Sequence, residues 1–189
     1  MATIVLLNGV GSVGKSSVAK ALQNITRQSF LHVEMDAFLA MLPSRLEGQP
    51  NGLSFEESVE AGRVTTFART GPIAKRALSG MRRSVAAMAS VGNNLIVDEV
   101  LFGDTESGSA SAVSEYRTLL EPYDFYMVGV FAPLETLEER ERNRGDRKIG
   151  LSRWQFERVH EGMTYDLSIN TANTSPQVCA ELIKAGLKL

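Results

Sequence analysis

A glycine-rich loop between an apolar segment and a helical segment constrains the fold of this 189-residue chain more than any other feature. Residues 3–8 (TIVLLN) predict a buried strand, and residues 15–28 predict a helix. Residues 9–16 (GVGSVGKS) match the pattern G-x-x-x-x-G-K-[ST] in full. Glycines let several backbone N–H groups point at one anion, and the helix N-terminus adds its positive dipole. The sequence therefore predicts a site for the phosphates of a nucleoside triphosphate.

The side chains of this phosphate loop have separate predicted roles. Lys15 is expected to reach the β- and γ-phosphates, and the Ser16 hydroxyl is expected to ligate Mg²⁺. The residues predicted to bind the nucleotide are Gly9, Gly11, Ser12, Val13, Gly14, Lys15, Ser16 and Ser17.

Strand-like and helical segments alternate along the rest of the chain. Further strands are predicted at residues 31–35, 94–100, 125–131 and 167–171. Further helices are predicted at residues 72–91, 133–144, 152–161 and about 176–185, with loops at 43–54 and 103–111. Ser152 and Gln155 form a capping-box pattern at the start of one of these helices. This order predicts an α/β fold, with a parallel sheet and helices on both faces.

Composition excludes several classes of protein. Lys and Arg number 20 against 22 Asp and Glu, and this net charge of −2 argues against a nucleic-acid-binding protein. The one cysteine, Cys179, allows no internal disulfide and is expected to be a small buried hydrophobe. No apolar run approaches the roughly 18 residues that span a membrane, and residues 4–7 lack the charged start of a signal peptide. We therefore expect a cytoplasmic protein that does not bind membranes.

Acidic residues follow two of the predicted strands, at the edge of the sheet where ligands bind. Asp98 is predicted to hold Mg²⁺ directly or through water, with a capped turn as the alternative and Glu99 as the less favoured ligand. Asp36 follows the second strand and could accept a proton from a hydroxyl. Its alternative role is the N-cap of a helix over residues 37–42.

Residues 140–158, which we call the predicted lid, contain seven Arg and Lys and three acidic residues. Arg140 and Arg144 share a helix face and are predicted to stabilise the charge of a transferring phosphoryl group. The alternative is a solvated charged helix, which is the interpretation we prefer for Arg142.

Other residues with possible ligand chemistry are interpreted as structural. His32 and His160 have no metal-ligating residues near them in the predicted pattern. One apolar group fits an acceptor pocket and the protein core equally well, and it consists of Phe38, Leu39, Met41 and Leu42.

Together these motifs resemble the chloramphenicol 3-O-phosphotransferase family, which are small P-loop kinases with an adenylate-kinase-like fold. The resemblance rests on LLNGVGSVGKSS, EMDAFLAMLP, LIVDEVLFG and VGVFAPLETLEERERNRGDRKIG, and on Gln155, Val159, His160, Gly162, Tyr165 and Asp166. It spans nearly the whole chain.

The resemblance implies a role for each matching residue. Asp36 matches the catalytic base, Lys15 and Ser16 match ligands of ATP and Mg²⁺, and Asp98 matches the acid after the third strand. The residues that match lid arginines are Arg140, Arg144 and Arg147, of which Arg147 is assigned to the nucleotide.

The fold implied by the resemblance is that of a P-loop NTPase, with a five-stranded parallel sheet in the order 2-3-1-4-5, flanking helices and a helical lid. One domain is expected over residues 1–189, with acceptor-binding residues at about 36–71 and the adenine base near 171–176.

The implied activity is ATP-dependent phosphorylation of a hydroxyl on a small molecule, with chloramphenicol or a related antibiotic as the leading acceptor. Ala37 stands where the family has Ser, Glu99 stands where it has Asp, and residues 47–71 match loosely. A nucleoside, a sugar or a nucleotide sugar is therefore the alternative acceptor. A nucleotide-dependent switch is a third hypothesis, which the base and the arginines disfavour.

Overall fold

Five parallel strands form the central sheet in the computed structural model, which describes residues 1–102, 109–145 and 147–189. They are β1 (Thr3–Asn8), β2 (Phe30–Glu34), β5 (Asn94–Glu99), β6 (Asp124–Phe131) and β7 (Leu167–Asn170). The strand order is β2-β5-β1-β6-β7. Counting the parallel strands alone, this is 2-3-1-4-5, so the predicted order is confirmed.

Helices cover both faces of this sheet. They are α1 (Lys15–Ile25), α2 (Met35–Leu39), α3 (Pro72–Ser90), α4 (Ser109–Leu119), α5 (Leu134–Arg144), α6 (Leu151–Phe156) and α7 (Pro176–Leu187). The residues of β1 alternate between two buried clusters, with Val5 and Leu7 in one and Ile4 and Leu6 in the other. The first cluster lies under α1 and α7, and the second lies under α3 and α4. Burial on both faces explains why the strand sequences are almost continuously apolar.

An antiparallel hairpin lies outside the central sheet and was not predicted from the sequence. Its strands are β3 (Leu53–Glu60) and β4 (Arg63–Thr70), which pair along their whole length. Ala61 and Gly62 connect them, with φ angles of 48° and 73°. Two successive left-handed residues match the right-handed twist of the strands, as two-residue hairpin turns require.

The structure corrects the sequence-based boundaries of two helices and of one loop. The helix predicted at 37–42 is α2 at Met35–Leu39. The loop predicted at 103–111 overlaps the start of α4, and its residues 103–108 lie outside the described residues. The helix predicted at 152–161 is α6 at Leu151–Phe156, with Gly150 as its N-cap.

The capping box predicted for this helix does not form. Ser152 lies inside α6, and the backbone N–H groups of Gly150 and Ser152 each donate to a carboxylate oxygen of Glu141, both at 2.7 Å. Glu141 of α5 therefore satisfies the N-terminus of α6 from outside that helix.

None of the described helices is both long enough and apolar enough to cross a membrane. Cys179 is fully buried, as predicted.

Candidate active site

The phosphate loop connects β1 to α1 at the carboxyl edge of the sheet. Ser12 and Gly14 have φ angles of 64° and 99°, so the backbone turns through the left-handed region twice. The Ser12 hydroxyl is buried and makes no hydrogen bond. Gly9 is required by packing, because a Cβ there would lie 2.5 Å from the carbonyl oxygen of Val130. The unpartnered hydroxyl and the N-terminus of α1 fit an anion bound in this loop.

Lys15, Ser16 and Asp98 meet beside the loop. The Lys15 ammonium donates to the carbonyl oxygens of Gly9 and Val10 at 2.9 and 3.3 Å, and lies 3.5 Å from Asp98 Oδ1. The Ser16 hydroxyl donates to Asp98 Oδ2 at 2.5 Å. Asp98 therefore faces the phosphate loop, and the chemistry of a hydroxyl beside a carboxylate fits Mg²⁺.

Glu99 belongs to a different network. Its carboxylate accepts from Arg82 Nη2 at 2.5 Å and from the Tyr116 hydroxyl at 2.7 Å, and it is 1% exposed. Burial raises the pKa of Glu99, although the charge of Arg82 opposes this shift. Adjacent residues of a strand point to opposite faces, which explains why Glu99 is turned away from Asp98 and the phosphate loop.

Asp36 lies in the first turn of α2, with its side chain 55% exposed. Its carboxylate accepts a hydrogen bond from Arg147 Nη2 at 2.5 Å. Glu34 is the N-cap residue of α2, and no side chain makes a capping hydrogen bond there. The alternative role of Asp36 as an N-cap is therefore wrong, and its carboxylate contacts Arg147 instead.

The arginines of the predicted lid have different surroundings. Arg140 donates to the carbonyl oxygens of Val13 and Thr171 at 3.3 and 2.6 Å, and so joins the phosphate loop to the segment after β7. Arg144 is exposed at the end of α5. Arg147 reaches Asp36, which lies 111 residues earlier in the chain. Asp146, within this segment, lies outside the described residues.

Three further residues hold the phosphate loop and were not assigned this function from the sequence. Gln155 Oε1 accepts from the backbone N–H of Gly11 at 2.7 Å. Ser152 Oγ donates to the Gly11 carbonyl at 3.3 Å, and Thr171 Oγ1 donates to the Val13 carbonyl at 2.6 Å. Of these three residues, Gln155 could have been found from the sequence, because it is among the residues that carry the family resemblance.

Asn8, His160 and Tyr165 form a polar network behind the loop. Asn8 Nδ2 donates to the Tyr165 hydroxyl at 2.9 Å, and that hydroxyl lies 2.7 Å from His160 Nδ1. Burial, followed by the charge of Lys15, lowers the pKa of His160 to about 4. Burial raises the pKa of Tyr165 to about 12. At neutral pH this hydrogen bond therefore joins a neutral hydroxyl to a neutral imidazole, which agrees with the structural role predicted for His160.

The hairpin contacts the predicted lid directly. The backbone N–H of Thr66 donates to the Gly150 carbonyl at 3.2 Å, and the Thr66 hydroxyl donates to the Ile149 carbonyl at 2.6 Å. Gly150 has a φ of 86°, and a Cβ there would lie 2.4 Å from the Val64 carbonyl oxygen. The Trp154 ring lies 6.3 Å from that of Phe67 and 5.0 Å from that of Phe102. This aromatic cluster lies between the hairpin, α6 and the end of β5.

The apolar residues in and after α2 were predicted to belong either to an acceptor pocket or to the protein core, and they differ in their burial. Phe38 packs against the buried cluster under α3, whereas Met41 is 69% exposed. Leu39 and Leu42 are half-buried.

His32 has neighbours that the sequence interpretation did not foresee. Its Nε2 lies 3.9 Å from Asp98 Oδ2, and its Nδ1 lies 4.0 Å from Glu34 Oε1. The prediction that His32 lacks metal-ligating company is therefore wrong. Burial lowers the pKa of His32 below its ordinary value of 6.5, and the charges of Glu34 and Asp98 only partly oppose this.

The sheet order and the phosphate loop define the fold of the P-loop kinases. The family model described as chloramphenicol phosphotransferase-like protein matches residues 2–188. The chain belongs to this chloramphenicol phosphotransferase-like family, which confirms the resemblance.

Curated relatives agree with this membership. Two strains of Mycobacterium tuberculosis have a protein named "Putative O-phosphotransferase", each 31% identical over 176 residues that cover 90% of this chain and 76% of the relative. Family membership supports an enzyme that transfers phosphate to a hydroxyl of a small molecule.

Solved structures with the same fold are more distant in sequence. The APS kinase of Mycobacterium tuberculosis, determined with AMPPNP and APS, gives a TM-score of 0.66 at 16% identity, covering 100% of this chain and 98% of its own. A gluconokinase from Sinorhizobium meliloti gives 0.64 at 16% identity, covering 99% and 91%. The tunicamycin resistance protein of Deinococcus radiodurans gives 0.62 at 18% identity, covering 100% and 97%. At these identities the similarity shows the fold.

Proposed function

We propose that this protein is an ATP- and Mg²⁺-dependent kinase that phosphorylates a hydroxyl of a small molecule, with chloramphenicol as the leading acceptor. The observation that carries the proposal is the grouping of Lys15, Ser16 and Asp98 at the loop, while Asp36 presents an exposed carboxylate just beyond β2. Glu34, the last residue of β2, is in register with Asp98. Asp36 comes two residues after Glu34, just beyond the carboxyl edge of the sheet.

The residues of the chain divide the reaction between them. The loop N–H groups and Lys15 hold the phosphates, and Ser16 and Asp98 would hold the metal. Mg²⁺, when bound, neutralises charge on the β- and γ-phosphates. Asp36 accepts the proton of the acceptor hydroxyl as its oxygen bonds to the γ-phosphorus and the bond to the bridging oxygen breaks. Arg140 positions the loop from the side of α5.

The contact between Asp36 and Arg147 links the proposed base to the predicted lid. An acceptor hydroxyl must reach the Asp36 carboxylate, so it competes with the Arg147 guanidinium for that oxygen. Once released, Arg147 carries its charge to the nucleotide phosphates. This exchange couples acceptor binding to closure of residues 140–158, which excludes water from the reaction.

Residues 36–71 are proposed to bind the acceptor, because they include α2, which carries Asp36, and the hairpin, which contacts the predicted lid through Thr66. Within one domain over residues 1–189, the later part of this region, residues 47–71, is the stretch that matches the family loosely. A kinase acting on a nucleoside, sugar or nucleotide sugar is the second candidate, and the same catalytic residues would serve it.

A coupled assay of ADP release with Mg-ATP tests the function. The acceptors are chloramphenicol, other hydroxyl-bearing antibiotics, nucleosides and sugars. Turnover with chloramphenicol above the rate of ATP hydrolysis without acceptor supports the leading proposal. Turnover with a different acceptor and none with chloramphenicol would mean that the acceptor specificity differs from that of the family, and would assign this difference to Ala37 and residues 47–71. ATP binding with no acceptor-dependent turnover contradicts the kinase proposal and favours a switch.

Arg144→Ala is expected to lower kcat far more than it weakens ATP binding, because the proposed contact forms with charge that develops during transfer. Steady-state kinetics and a direct ATP-binding titration separate the two effects. Arg142→Ala is the matched control, since Arg142 lies on the same helix, is also exposed and has no proposed role. An Arg144→Ala variant with weaker ATP binding and an unchanged kcat would make Arg144 a ground-state ligand instead.

A further inference from the structure

The His32 ring lies between two carboxylates, with Nε2 3.9 Å from Asp98 Oδ2 and Nδ1 4.0 Å from Glu34 Oε1. The His32 side chain is 8% exposed, and Nε2 makes no hydrogen bond. Among the residues that the structure describes, one group of His, Cys, Asp or Glu side chains could hold a metal ion. It consists of His32, Glu34 and Asp98, whose ligand atoms all lie within 4.8 Å of one another. A buried polar atom without a hydrogen-bond partner is destabilising, so its presence here requires an explanation.

A structural role does not explain this arrangement. The 3.9 Å between His32 Nε2 and Asp98 Oδ2 is too long for a hydrogen bond. It is, however, a separation that two ligands can span across one shared ion, because metal–ligand bonds are about 2.0–2.2 Å long. A buried imidazole nitrogen without a hydrogen-bond partner has the chemistry of a metal ligand.

We propose that His32, Glu34 and Asp98 form a protein-held site for a divalent transition-metal ion, beside the position expected for the Mg²⁺ of the nucleotide. The β2–β5 pairing builds it, since Glu34 is in register with Asp98 and His32 lies two residues earlier on the same face of β2. An imidazole nitrogen with two carboxylates favours ions such as Mn²⁺, Co²⁺ or Zn²⁺ over Mg²⁺, which prefers oxygen ligands and retains its waters.

Asp98 connects this site to the phosphate loop. Oδ2 accepts from Ser16 and is also the oxygen nearest His32, whereas Oδ1 faces Lys15. The site needs no phosphate ligand, so the inference goes beyond the proposed kinase activity and is independent of the acceptor. A cation bound here would orient the Asp98 carboxylate before the nucleotide arrives.

Titration of the nucleotide-free protein with Mn²⁺, followed by electron paramagnetic resonance, tests the site. We expect about one ion per chain and a nitrogen coupling from imidazole in pulsed spectra. His32→Ala should abolish that coupling and weaken Mn²⁺ binding about tenfold or more, and Glu34→Gln should weaken it while keeping the coupling. Omitting nucleotide removes the Mn²⁺ that ATP would bind by itself.

His160→Gln is the matched control, because His160 is the other of the two histidines and is expected to leave Mn²⁺ binding unchanged. Circular dichroism confirms that each variant is folded. Absence of Mn²⁺ binding without nucleotide, binding without nitrogen coupling, or unchanged affinity in His32→Ala would each overturn the inference. Because no acceptor is used, these results are separate from the outcome of the kinase assay.

Discussion

Replacing Asp36 by Asn is expected to lower kcat by about 10²- to 10⁴-fold, with the Kd for ATP nearly unchanged. The amide keeps the size of the side chain but cannot accept the hydroxyl proton of the acceptor. Asp36 makes no contact with Lys15, Ser16 or Asp98 among its observed hydrogen bonds and ion pairs, so its loss leaves the phosphate loop intact. Acceptor-dependent ADP release gives kcat, and titration with a non-hydrolysable ATP analogue gives the affinity.

Two further variants make this result specific. Asp124→Asn applies the same chemical change to an exposed aspartate at the start of β6, at the opposite edge of the sheet, and should retain the wild-type kcat. Asp36→Glu restores a carboxylate and should recover part of the activity. Wild-type turnover in Asp36→Asn would remove Asp36 from the role of base. Equal loss in Asp124→Asn would point to a general effect on folding.

Arg82→Met is expected to lower the free energy of unfolding by about 3–5 kcal/mol, because it leaves the buried Glu99 carboxylate without its counter-charge. Arg82 also lies near the charge of Glu115, with 3.2 Å between Nη1 and Oε2. Burial raises the pKa of Glu99 in the folded state, so stability falls as the pH rises above the unfolded value of about 4.5. Urea unfolding at several pH values measures both effects, and the loss should be larger at neutral pH than at acidic pH.

Replacing both partners is the decisive comparison for this pair. Arg82→Met combined with Glu99→Gln removes the uncompensated charge and should recover part of the lost stability. Arg69→Met is the surface control, since Arg69 pairs with Glu56 on the exposed hairpin and its loss should not measurably change the unfolding midpoint. A single Arg82→Met variant as stable as the wild type would show that Glu99 does not depend on this ion pair.

The central sheet could be predicted from the sequence because its signals are local. The strands are apolar on both faces, and residues 9–16 fix the first strand–helix connection. The strand order itself came from the family resemblance. The β3–β4 hairpin escaped prediction, because its strands are rich in Glu, Ser, Thr and Arg and their residues are mostly half-buried or exposed. Such strands lack the apolar alternation on which sequence patterns depend.

Site residues that belong to a local sequence motif could be predicted. Those whose role depends on contacts between distant segments could not. Glu141 lies in the charged run LEERERNR, and nothing local distinguishes it from Glu138 or Glu139. Glu141 is buried because Gly150 and Ser152, which follow it by nine and eleven residues, fold back and donate their backbone N–H groups to its carboxylate. His32 is similar, because its relation to Asp98 arises from pairing between strands 66 residues apart. Sequence spacing does not encode such a distance.

The hydrogen bonds of Thr66 to residues 149 and 150 make the hairpin and the predicted lid one mechanical unit. Glu141 extends that unit to α5, and Gln155 extends it to Gly11 of the phosphate loop. In the proposed function, an acceptor that displaces the hairpin would therefore act on the phosphate loop through these hydrogen bonds. If the acceptor changes the affinity for ATP by some factor, thermodynamic linkage requires ATP to change the affinity for the acceptor by the same factor. If the hairpin binds the acceptor as proposed, selection for a new acceptor there would also change the affinity of the protein for its nucleotide.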